Sequence, residues 1–219
     1  MRLALGGRWA TGVLLAASLA GCRGTTPSRN ADPSLGMGAL LMRGRLITPT
    51  GDAASGRLHI DFESDSEVYR LKLSPVETTL YAVEPGIYRY HPTRGIIGLP
   101  QTLLRVVING RGYKTPFPMD ILRRDRITVG PGKVVPLGIL EARIEPVRGT
   151  AGMKLSVRLD DSVAARRALV QEMIHKMLDA ETDPDLSQTA IAWTRALDQA
   201  LVVLQGSSDR RPAFKPGNP

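Results

Sequence analysis

Four carboxylates alternate along one short stretch, at Asp61, Glu63, Asp65 and Glu67. On an extended backbone they would share one side, an arrangement by which oxygen ligands hold a hard cation such as Ca²⁺. The run lacks the glycine and the distal glutamate of an EF-hand loop. It reads instead as the solvated tip of a hairpin, and no metal is expected. The three histidines, His59, His91 and His175, fall in a strand, a loop and a helix, without metal-ligand spacing or a nearby cysteine pair. The sequence has no Gly-x-Ser-x-Gly elbow and no phosphate-cradling glycine motif after a strand. The chain is therefore expected not to be an enzyme and to need no cofactor.

A second concentration is basic. Arg105, Arg111, Lys114, Arg123, Arg124 and Arg126 gather around Asn109-Gly110 and the segment after it, with Tyr113 and Phe117 interleaved. Such a group would make a face for an anion or an acidic partner; the alternative is an ordinary solvated surface that supplies net charge. Trp193, Met173 and Met177 would either form a partner-binding groove, since methionine adapts to irregular surfaces, or serve as packing for the helices that carry them.

The elements that must position these residues are mostly strands. From about Ala39, short runs of alternating polarity occur, as where Leu58, Ile60 and Phe62 stand against Arg57, His59 and Asp61. Similar runs fall near 67–73, 78–84, 87–90, 102–108, 126–129, 133–145 and 153–159, which predicts an antiparallel β-sandwich or barrel with a largely aliphatic core. Pro85-Gly86, Pro131-Gly132 and Asn109-Gly110 predict turns, and Pro136 predicts a bulge or an edge position. In the last strand Leu155, Val157 and Leu159 should face inward.

After Leu159 the period becomes helical. Leu169, Val170, Met173, Ile174, Met177 and Leu178 form one stripe behind a cap among Asp160, Asp161 and Ser162. Asp183-Pro184 opens a second helix with Leu186, Ala190, Trp193, Leu197, Leu201 and Leu204 on one face, ending at Gly206. The expected fold is thus a mainly β sandwich over 39–159 followed by an αα-hairpin over 160–206, with a disordered tail over 207–219. A hairpin of two helices buries little alone, so its apolar faces must meet the β domain, another copy or another protein. Charge follows the same division: residues 22–159 hold 20 basic and 12 acidic side chains, residues 160–206 four and eight, within a total of +8 for 219 residues.

The first 21 residues have the layout of a secretory signal: Arg2 and Arg8 without an acidic residue, an apolar run from Ala10 to Ala20, then small residues. That run is about half the roughly 20 residues needed to span a bilayer. Leu19-Ala20-Gly21-Cys22 resembles the lipobox of bacterial lipoproteins. The resemblance implies that the Cys22 thiol receives a diacylglyceryl group, that cleavage makes Cys22 the mature N-terminus, and that residues 22–38 form a lipidated cysteine with a flexible tether. It also implies an outer-membrane protein facing the periplasm, because Arg23 replaces the aspartate that typically retains enterobacterial lipoproteins at the inner membrane. Cys22 is the single cysteine, so no intramolecular disulfide is available. The expected partner is the membrane, through the lipid, and a further candidate is another envelope protein. No nucleic acid is expected, since a protein at that location meets lipid phosphates, acidic glycans and acidic proteins far more often.

Tyr81-Ala-Val-Glu-Pro-Gly-Ile-Tyr-Arg89 and Ile127-Thr-Val-Gly-Pro-Gly-Lys-Val-Val-Pro-Leu-Gly-Ile-Leu140 resemble segments of prealbumin-like or carboxypeptidase-regulatory-like β-sandwich modules in bacterial lipoproteins. These are turn and core residues, so the resemblance implies a fold and transfers no site. The combined expectation is a non-enzymatic envelope structural or interaction module. The alternative is a binding module for an anionic glycan or lipid head group.

Overall fold

Buried alternation along Gly56–Glu63, with Leu58, Ile60 and Phe62 inside and Arg57 outside, places that segment as a half-buried strand. The computed structural model describes residues 33–52, 56–65, 68–91, 103–108, 110–122, 124, 126–149, 152–180 and 187–207. The leader, Cys22, residues 23–32 of the tether, Glu67, Asn109, Arg123, Asp183-Pro184, Leu186 and residues 208–219 of the tail lie outside the described residues. The strands are β1 (Gly38–Thr48), β2 (Gly51–Asp52), β3 (Gly56–Glu63), β4 (Val68–Leu73), β5 (Thr79–Val83), β6 (Gly86–Tyr90), β7 (Leu103–Ile108), β8 (Arg111–Pro116), β9 (Ile127–Val129), β10 (Val134–Pro146) and β11 (Met153–Asp160). The helices are α1 (Met119–Leu122), α2 (Val163–Ala180) and α3 (Ser187–Gly206).

Two sheets of mostly antiparallel strands form. In the first, β10 lies between β11 and β1, and the other edge of β1 is shared by β5 along Gly38–Met42 and by β2 at Ile47 and Thr48. The β1–β10 pair is the one parallel ladder among the described strands. In the second sheet β4 covers one edge of β3, while β7 pairs with its first half and β6 with its last two residues. From there β8 extends β7, and β9 extends β6.

Between the sheets lies the first core, with Leu40, Met42 and Leu46 of β1 against Leu58, Ile60, Phe62, Leu71 and Val106. It is more aromatic than the sequence suggests. Phe62, Tyr69, Tyr81, Tyr88, Tyr90 and Phe117 are all buried in it, and Tyr90 stacks obliquely between Phe62 and Phe117 with centroids 4.7 and 5.9 Å away.

The outer face of the first sheet carries a second core. Ala39 and Leu41 of β1, Leu80 and Ala82 of β5 and Val134 of β10 meet Leu169, Val170 and Met173 of α2 and Trp193, Leu197 and Leu204 of α3. The molecule is therefore three layers deep, and the helical hairpin belongs to the same packed unit as the sandwich. Trp193 and Met173 are fully buried packing residues, while Met177 packs partly buried at the margin. Leu178, placed on the stripe by periodicity, is instead exposed at 46%.

Local signals explain how the hairpin is fixed. The Ser162 hydroxyl accepts the Ala165 amide at 3.2 Å and the Ser162 carbonyl accepts the Arg166 amide at 3.0 Å, so Ser162 is the N-cap of α2. Glu172 then fastens the helix to the sheet. It accepts the Thr78 amide at 2.8 Å and hydroxyl at 2.6 Å, and it pairs with Arg43 of β1 at 3.2 Å.

Pro136 lies at a bulge, as its missing N–H requires. Leu41 pairs with Pro136 but Met42 with Gly138, so Leu137 is the extra residue in β10. Gly138 has φ +118°, and a Cβ there would overlap the Asp160 carbonyl oxygen, so only glycine lets the end of β11 pass this closely. Of the two Pro-Gly pairs, Pro131-Gly132 uses its positive φ (64°), whereas Gly86 has none and opens β6. At the front, Pro33–Leu35 makes a short 3₁₀ turn packed on α3, so ordered structure begins before the expected end of the tether.

Candidate binding cleft

The bulge in β10, the end of β11 and the segment between α1 and β9 leave an open cleft of about 530 Å³ at one end of the sandwich. Its floor is hydrocarbon: Ile127, Val135, Pro136, Leu137 and Leu159. Its polar groups come from four places in the chain. Tyr90 ends β6, Arg124 and Arg126 precede β9 and Thr128 lies within it, Asp161 follows β11, and Arg166 lies in the opening of α2.

Three guanidinium groups thus face one carboxylate. Asp161 accepts hydrogen bonds from Arg124 and, at 3.4 Å, from Arg166. Arg126 is exposed and forms no ion pair among the described residues. The Nε of Arg166 is buried with no hydrogen-bond partner among them. Burial pushes the Tyr90 phenol well above its usual range, against the pull of Arg124, so its hydroxyl stays protonated and available as a donor.

Such an arrangement is suited to binding. Guanidinium groups offer planar paired donors that match carboxylate and phosphate oxygens, and the hydrocarbon floor lowers the local dielectric and strengthens those bonds.

The basic group anticipated from the sequence is divided by the fold. Arg124 and Arg126 enter the cleft. Arg105, Arg111 and Lys114 belong to the β7–β8 hairpin, where Arg105 pairs in register with Lys114 and Arg111 with Ile108, on a different branch of the second sheet from β9. Arg123 lies outside the described residues.

Arg166, Asp161 and Tyr90 were not among the anticipated site residues, and Arg166 did leave a signal. Arg166-Arg167 sits in the opening turns of a helix, where the helix dipole disfavours cations. A broken local rule of this kind points to a site.

Two of the alternating carboxylates, Asp61 and Glu63, are engaged by cross-strand cations. Asp61 receives both the Nε and an NH2 of Arg70 at 2.8 and 3.0 Å. Glu63 receives Arg89 at 2.7 Å and has the His91 Nδ1 at 3.4 Å; burial opposes its ionisation, but these two partners outweigh burial and lower its pKa. Asp65 is exposed. His59 is half-buried in β3 and His175 is exposed on α2, so the three histidines remain on separate elements.

No protein-family model and no curated protein sequence matches this chain.

Proposed function

We propose that the protein is a non-enzymatic, lipid-anchored envelope module that binds an anionic group in the arginine-lined cleft. One observation carries the binding part: Arg124, Arg126 and Arg166, from two separate segments, converge on a cleft whose described lining holds one carboxylate, Asp161. An anionic glycan or lipid head group supplies the oxygens such a site would pair. The anchor and the outer-membrane location rest on Cys22 and its flanking residues in the sequence.

The binding claim is tested by calorimetric titration of the mature domain with glycerol phosphate and with glucuronate. Saturable binding to either should weaken roughly tenfold in Arg126→Ala and again in Arg166→Ala, the scale of one charge-assisted hydrogen bond each. Affinity unchanged by both substitutions would remove the cleft from consideration. Intact mass and membrane fractionation, beside Cys22→Ala, test the anchor: a wild-type chain that is soluble and carries no lipid rules it out.

A second reading is docking of another envelope protein on the outer face of α3. It is favoured by Val202 and Val203, which are 66% and 69% exposed. Crosslinking in cells that captures no partner through this face would end it.

A further inference from the structure

The arginine-lined cleft has a neighbour. A second open cleft of about 350 Å³ runs between α3 and the start of β10, and the two adjoin across Val135, Pro136 and Arg166. Its walls are mostly hydrocarbon, from Val134, Ala196, Ala200, Val203 and Leu204. The small side chains of Ala196 and Ala200 leave the space. At its mouth Lys133 from the turn before β10 donates to Gln199 of α3 at 2.9 Å.

A cationic cleft and an apolar one, side by side, describe a single kind of ligand. We infer that the site takes a single-chain anionic amphiphile, its phosphate or carboxylate head on Arg124, Arg126 and Arg166 and its acyl chain along α3. This rests on the anion-binding reading above and adds the chain to it. Arg166 lines both clefts, so its guanidinium stands where a head group and its chain would meet. Length is limited by volume. At roughly 30 Å³ per methylene, near the share of one water in the liquid, the apolar cleft holds on the order of ten carbons. A glycan would leave that hydrocarbon surface uncovered.

Butyl, octyl and decyl phosphate, each below its micelle concentration, test this on the mature domain by calorimetry. Affinity should rise with chain length, up to about fourfold per buried methylene. Val203→Asn, in the wall of the apolar cleft, should flatten that rise with chain length. Arg126→Ala should weaken all three probes alike. Equal affinities for butyl and decyl phosphate would overturn the amphiphile and leave the anion cleft standing; no saturable binding of any probe would overturn both.

Discussion

Glu172 ties α2 to the sheet through three polar contacts, and its ionisation state therefore enters the stability of the fold. Burial opposes the charged form, but the Thr78 hydroxyl and amide, with Arg43 and Lys176, outweigh burial and hold its carboxyl below the usual range. A carboxyl whose folded pKa is depressed contributes stability above its unfolded value, about 4.3, and loses that contribution as pH falls through the lower folded value. Glu172→Gln should cost about 1–3 kcal/mol at pH 7, the range for a hydrogen bond to a charged group. It should also make the fall in urea stability between about pH 5 and 3 shallower than in the wild type. An identical acid limb in both proteins would show that Glu172 does not govern it. Neither this contact nor the Asp61–Arg70 pair was legible beforehand, because each joins residues whose neighbourhood only the fold creates. Arg124 and Arg126 were legible as cations, but their company with Arg166 was not.

Strands with one buried face showed plainly in the sequence, whereas β1, buried on both faces, did not. The run 153–160 alternates as a strand on the outside of a sheet should, with Lys154, Ser156 and Arg158 exposed. By contrast β1 is buried almost continuously from Gly38 to Met42, because its residues alternate between the inter-sheet core and the helix-facing core. With both faces apolar, period two vanishes. The β8 strand hid for the opposite reason, since Gly112 and Pro116 break its pattern and Tyr113 stays partly exposed. The α2 start was marked by its cap, which makes a direct test. Ser162→Ala should destabilise the protein by about 1 kcal/mol in denaturant melts, and amide exchange should quicken in the first turn of α2 while β3 and β4 keep their protection. Unchanged exchange there would mean that packing alone sets the helix start.

Three layers share two cores, and the middle layer depends on both neighbours. That the hairpin lies on the first sheet could not be read from periodicity, which reveals that a face is apolar but not what it meets. A chain ending at residue 160 should leave Ala39, Leu41, Leu80, Ala82 and Val134 bare, a contiguous apolar face of the kind that drives association. It should be recovered aggregated, whereas the chain through residue 207 stays monodisperse in gel filtration; a soluble, folded fragment would show the sandwich to be self-sufficient. The parallel ladder has a further consequence, for time rather than for stability. Arg45 and Glu141, side by side on neighbouring strands, are 96 residues apart in the chain. The strand at the centre of the first sheet must wait for a partner far along the chain, and closing so long a loop is slow. Until then the first sheet stays open along one edge of β1, and only the second sheet, whose strands all precede β10, has its full set of strands.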